Sequence, residues 1–153
     1  MLGSLNDCKE VKSVFNTSVN TRPDALILCY PVVSSGEKAH RDSFKALCGD
    51  DEELKGRLDA AKLIRSGSPA AFIWATRDDG CVSVKNSLML AEAYEREDLP
   101  FSLHIWGKGQ HGLSVADMTV YKTDKVLRES SAGVCNWLPM AIDWLKEQGI
   151  YVK

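Results

Sequence analysis

Apolar residues gather in three short runs, and between those runs they recur at helical spacing. Residues 25–33, opening on Ala25 and closing on Val33, are almost continuously apolar. A run of that length predicts a strand covered on both faces, as in a parallel sheet. Residues 70–75 form a second run of the same kind. The third, Phe101–Trp106, follows Pro100 and alternates, with Phe101, Leu103 and Ile105 on one face and Ser102, His104 and Trp106 on the other. Alternation predicts a less fully covered strand, nearer a sheet edge.

The intervening segments read as helices and loops. Residues 5–16 carry Val11, Val14 and Phe15 and predict a short helix that the polar stretch up to Pro23 ends. Residues 37–49 read as irregular or briefly helical. Asp50 and Asp51 open a helix expected to reach Arg65, with Leu54, Leu58 and Ala61 on one side. Acids at its start and Arg65 at its end suit the helix dipole, and Gly67 and Pro69 stop it. Ser83 is placed to cap a helix over 84–97 with Leu88, Ala91 and Tyr94 turned inward. Residues 107–133 form a long loop with room for a short helix. A last helix over 134–148 shows Trp137, Ala141, Trp144 and Leu145 as an apolar stripe, ended by Gly149.

Three strands alternating with helices indicate an α/β fold with a parallel sheet. Every strand then ends on the same sheet edge, where such folds collect their ligand-binding and reacting groups. Two polar loops fall there. One carries Asp78-Asp79-Gly80 after the second strand, and the other carries His111 between Gln110 and Gly112 after the third. An imidazole can take and return a proton near neutral pH, and a carboxylate fixes its tautomer and steadies the imidazolium. Taken alone, Asp-Gly after a strand is also an ordinary turn, and a histidine in a glycine-containing loop is also an ordinary exposed side chain.

Composition narrows the classes. The 153 residues bound the chain to one domain, and 44% hydrophobic with 26% charged residues is usual for a globular protein. The formal net charge is −2, with both signs interspersed, which argues against a nucleic-acid-binding stripe or a polybasic membrane anchor. No apolar run approaches the roughly 18 residues of a membrane helix. The first residues lack the basic start and apolar core of a signal peptide. The cytoplasm is the default expectation, subject to any upstream signal. Cys8, Cys29, Cys48, Cys81 and Cys135 are odd in number and lack ligand spacing, so neither a disulfide framework nor a metal site is expected. Nor is a cofactor, since there is no glycine-rich phosphate loop.

From Arg22 onward the chain resembles the C-terminal half of an α/β-hydrolase of the acetyl-esterase and acetylxylan-esterase-like group, whose members often carry the description esterase/lipase or endo-xylanase. The likeness rests on RPDALILCYP from Arg22, GEKAHR from Gly36, and Asp78-Asp79 with Val82, Val84, Asn86 and Ser87. It continues through PFSLHI from Pro100, GQHGLSVAD from Gly109 and DWLKEQG from Asp143. It implies a partial α/β-hydrolase fold of about three parallel strands with flanking helices, without the nucleophile-bearing half. It implies that Asp79, three residues before Val82, and His111 are the acid and histidine of a serine-esterase triad. Departures are Ser83 where the group has proline, the absence of a histidine near Ala75, and Cys81 in a usually polar position.

The serine is missing. Neither Gly-x-Ser-x-Gly nor a His-Gly-Gly-Gly oxyanion segment occurs in the sequence. In the group both lie upstream of the segment like that from Arg22, and Leu2 to Asp7 resemble the helix just after the nucleophile. Residues 1–21 then read as a remnant helix and linker, and 1–153 as one C-terminal portion of a domain. Ser34 has the right chain order but not the glycines of the strained turn, and Ser4 and Cys29 are weaker stand-ins. His104, mid-strand, reads as a packed residue, and His40 as part of a loop near the site mouth.

Three functions follow. The first is a short-acyl or acetyl ester hydrolase, acting on a small ester such as that of an acetylated carbohydrate, and inactive without the missing half. The second is a non-catalytic module or homo-oligomer that pairs through the strand edge at residues 25–33. The third, a flavodoxin-like binding domain, needs about five strands.

Overall fold

The computed structural model describes residues 20–120 and 125–150. The helix read over 5–16, the Leu2 to Asp7 segment, Ser4 and Cys8 lie outside them.

The three apolar runs form strands β1 (Ala25–Cys29), β2 (Ala70–Thr76) and β3 (Phe101–Trp106). They make a parallel sheet in the order β1-β2-β3, with Leu26 opposite Ala71 and Ala71 opposite Phe101. β2 lies in the middle and is almost wholly buried, while β1 and β3 are half-buried. The expectation that β1 is covered on both faces therefore fails, since Ile27 is 37% exposed. β1 is also shorter than its apolar run. Tyr30 turns to φ 39°, and Pro31 follows with no N–H to give to a ladder.

Between β1 and β2 come α1 (Arg41–Cys48), α2 (Glu52–Arg57) and α3 (Ala60–Leu63). The segment read as irregular or briefly helical thus holds a full two-turn helix, α1, buried through Phe44 and Cys48. The single helix expected from Asp50 to Arg65 is instead divided at Leu58 and Asp59. Asp59 adopts an extended backbone and turns its carboxylate inward, where Oδ2 accepts from Ser35 N at 3.0 Å and Ser35 Oγ at 3.1 Å. A buried carboxylate demands such donors, and meeting that demand outweighs one continuous helix.

α4 (Lys85–Arg96) joins β2 to β3. It buries Leu90, Ala91, Ala93 and Tyr94, whereas Leu88, expected inside, is 46% exposed. Ser83 Oγ accepts from Lys85 N only at 3.4 Å, so the expected cap is long. After β3 the chain passes through α5 (Lys125–Glu129) and a 3-10 turn (Val134–Asn136) into α6 (Trp137–Glu147).

Strand alternation sorts the core into two layers. Ala71 and Ile73 pack with Ala61, Ile64, Leu90 and Tyr94 on one face of the sheet. Phe72 and Trp74 pack with Leu113, Ala116, Trp137 and Trp144 on the other. Asn86, 1% exposed, ties α4 to the loop that follows β1. Its Oδ1 accepts from Val33 N and Ser34 N at 3.0 and 2.9 Å, and its Nδ2 donates to Lys38 O and Ser83 O, both at 3.1 Å.

Candidate active site

Because the strands are parallel, Tyr30, Arg77 and Gly107 leave the sheet at one edge. The loops after β2 and β3 meet there. His111 Nδ1 lies 2.8 Å from Asp79 Oδ2. The Asp79 side chain is 1% exposed and the His111 ring 34%, so the acid is enclosed and the imidazole is half open.

Each partner is fixed by its own loop. Asp79 Oδ1 accepts from the backbone N–H groups of Cys81 and Val82 at 2.8 and 2.9 Å. This is the local turn that Asp favours, and it leaves Oδ2 for the histidine. A carboxylate at Nδ1 places the proton of the neutral ring on that nitrogen and frees Nε2 as the basic atom.

The neighbouring Asp78 holds the other loop, its Oδ1 accepting from Gly109 N at 2.7 Å. Thr76 Oγ1 donates to Gly109 O at 2.6 Å, so the His111 loop is clamped to the end of β2 by both polar groups of one glycine. That glycine is required. A Cβ there would sit 2.7 Å from Thr76 Cγ2 and 2.8 Å from Leu113 Cδ1, at φ 153°.

Aromatic rings hold the other side of the loop. Trp137 stacks on Trp74 (5.3 Å), Tyr30 stands edge-on to Trp74 (5.0 Å), and Tyr30 stands edge-on to His111 (4.7 Å). Trp137 Nε1 donates to Ser114 O at 2.8 Å, and Ser114 N donates to Tyr30 Oη at 3.2 Å. The imidazole is thus held by a carboxylate, a ring edge and two anchors on the segment that follows it. Tyr30, Asp78, Thr76 and Trp137 escaped the sequence reading as site residues. Asp78 stands in the Asp78-Asp79 pair, but its hold on Gly109 is not written locally, and Tyr30, Thr76 and Trp137 reach the histidine or its loop only from other segments.

The other candidates lie elsewhere. Ser34 is buried, with its hydroxyl on Asp59 Oδ2 at 3.4 Å and accepting from Gly36 N at 3.0 Å. Cys29 is half-buried in β1, and burial pushes its thiol up. His104 packs on Phe72 at 4.8 Å with Nε2 2.8 Å from Ser102 Oγ, and burial holds its pKa down. His40 caps α1 and meets Cys81. An open cavity of about 250 Å³ is lined by Asp78, Gly109, Gln110 and Glu129 among others, but by neither Asp79 nor His111.

A parallel α/β sheet with an acid after one strand and a histidine after the next, in contact at 2.8 Å, has the chain order of the acid and histidine in α/β-hydrolases. Solved structures share the fold. The chain matches an acetyl ester-xyloside bifunctional hydrolase from Caldicellulosiruptor lactoaceticus at 38% identity and TM-score 0.75, over 88% of this chain and 46% of that one. It matches a sugar hydrolase from Lactococcus lactis at 29% identity and TM-score 0.69, over 87% and 51%. A carboxylesterase from Lactobacillus plantarum, at 23% identity and TM-score 0.75, shares the fold. Among curated proteins, endo-1,4-beta-xylanase B of Butyrivibrio fibrisolvens is 38% identical over 102 residues, which make up 65% of this chain and 16% of that protein. No family model matches. The chain spans about half the length of the solved hydrolases it matches and carries part of an α/β-hydrolase fold.

Proposed function

We propose that Asp79 and His111 are the orienting acid and the general base of a serine carboxylic-ester hydrolase site whose serine lies outside this sequence. The observation that carries the reading is the 2.8 Å contact between an enclosed Asp79 carboxylate and a half-open His111 ring. In the reaction the serine attacks the ester carbonyl while His111 Nε2 takes its proton. The same nitrogen returns the proton to the leaving alcohol, and water then releases the acyl-enzyme. Asp79 keeps the imidazole in the tautomer this requires. Similarity to the Caldicellulosiruptor protein, an acetyl ester-xyloside hydrolase, favours a short acyl group on a carbohydrate alcohol.

On this reading the chain alone is inactive, since it lacks the attacking atom and the oxyanion donors, which contribute about 3–4 kcal/mol each when removed singly. The test joins this chain to the part of the Caldicellulosiruptor hydrolase that it leaves uncovered and assays p-nitrophenyl acetate. The joined protein should hydrolyse it, and His111→Ala should abolish the activity. Hydrolysis by the unjoined chain that disappears in His111→Ala would overturn the division of labour proposed here.

A second reading is favoured by β1. Among the described residues it pairs on one side only, with β2, and Ile27 is exposed. Such an edge is a template for another strand, and it would make the chain a pairing module or homo-oligomer through residues 25–33. Sedimentation at rising concentration distinguishes the readings: self-association that Ile27→Lys abolishes supports this one.

A further inference from the structure

Cys81 and His40 come from distant segments and meet next to the Asp79 turn. His40 Nε2 lies 3.3 Å from Cys81 Sγ. The other side of the ring is committed. Nδ1 accepts from Ser43 N at 3.3 Å and lies 2.9 Å from Ser43 Oγ, capping α1. A backbone amide can only donate, so Nδ1 is the bare nitrogen and the proton of the neutral ring sits on Nε2. His40 therefore points an N–H donor at the sulphur rather than a base.

The remaining described cysteines differ. Cys48 is buried, and Cys29 is half-buried. Cys135 is exposed, but its Sγ donates to Ala132 O at 3.3 Å and so meets an acceptor rather than a donor. Among the described residues, Cys81 alone is an exposed cysteine met by a side-chain N–H donor, which faces the charge that gathers on sulphur as it attacks. The nearby Asp79 carboxylate is already engaged, by two backbone amides on Oδ1 and by His111 on Oδ2.

We propose that the Cys81–His40 pair is a thiol-modification site that reacts with low-molecular-weight disulfides. The Cys81 thiol loses its proton to solvent, and its sulphur attacks one sulphur of the disulfide. A new S–S bond forms as the old one breaks, and the second sulphur leaves as a thiolate that takes up a proton. The electron count balances without any other oxidant. Cys81 N holds Asp79 Oδ1, so the adduct grows from the turn that positions Asp79. The proposal does not depend on the esterase reading.

The test treats the whole chain with oxidised glutathione under non-denaturing conditions and follows each cysteine by peptide mass spectrometry. Cys81 should be modified first, about tenfold faster than Cys135. His40→Asn keeps a side-chain oxygen for the α1 cap but is too short to reach the sulphur. It should slow Cys81 about fivefold and leave Cys135 unchanged. His40→Ser makes the same comparison should His40→Asn misfold by circular dichroism. Modification of any other cysteine, Cys8 included, as fast as Cys81, or a Cys81 rate unchanged in the folded His40 variant, refutes the proposal.

Discussion

The ring of Tyr30 stands edge-on to the imidazole of His111 at 4.7 Å, although the two residues lie on different strand-end segments. Tyr30 reaches that position at a backbone φ of 39°, with its N–H donating to Trp74 O at 2.6 Å and its hydroxyl accepting from Ser114 N. A bulky residue in the left-handed region costs on the order of 1–3 kcal/mol. The ring contacts with Trp74 and His111 and the hydroxyl contact with the His111 loop offset that cost.

Tyr30 separates backbone strain from ring contact. Tyr30→Phe should lower stability by about 0.5–1.5 kcal/mol through the lost Ser114 bond. Tyr30→Ala should cost more than Tyr30→Gly, because glycine tolerates the positive φ. Urea unfolding followed by tryptophan fluorescence measures all three; equal losses in the alanine and glycine variants would show that the backbone carries no strain.

Asp79→Asn should change the tautomer of His111. The asparagine oxygen can occupy the Cys81 and Val82 amides, which leaves its NH₂ group facing Nδ1, where only an acceptor nitrogen fits. Nitrogen-15 NMR of the imidazole should show Nδ1–H in the parent chain and Nε2–H in the variant, with a stability loss of about 1.5–3 kcal/mol.

Gly109→Ala tests the clamp beneath the histidine. The added methyl meets Thr76 and Leu113 within 3 Å, and such overpacking costs about 1–3 kcal/mol. The His111 loop should detach from β2, and the NMR signature of the Asp79 contact should weaken while the far-UV spectrum stays unchanged.

His104 should make stability fall in acid. Burial disfavours its charged form, so its folded pKa lies below the ordinary 6.5. The unfolded chain then binds more protons, and the contribution is present above about pH 6.5 and lost as pH falls through the lower folded value. Between about pH 7.5 and 5.5, the parent urea midpoint should drop more than that of His104→Gln.

Trp74 is fully buried and touches Tyr30, Trp106 and Trp137. Trp74→Ala should cost about 3–5 kcal/mol. It should also mobilise His111, since Tyr30 loses its backing; hydrogen exchange at residues 109–116 measures this.

Much of this architecture was legible along the chain. The apolar runs marked all three strands, and the bounds of β3 were read as they stand, because a strand's burial follows directly from local alternation. The places of Asp79 and His111 after successive strands on one sheet edge were legible too, because chain order and strand direction set them. The helix boundaries were less accessible. The break at Asp59 depends on Ser34 and Ser35, more than twenty positions earlier, and no local periodicity encodes that demand.

By itself, then, the sequence determined the parallel α/β class, the strand positions and the two loops that bear the acid and the histidine. It did so because the period of apolar residues and the chain order of motifs are local, linear properties. Only the tertiary structure decided that Asp79 faces His111 while Asp78 holds Gly109, that Tyr30 and Trp137 brace the imidazole, and that His40 turns an N–H toward Cys81. Each of these is a contact that a side chain makes with a separate segment of the chain. Its existence depends on the direction in which sheet and helices aim those side chains, and that direction is set by the packing of the whole core.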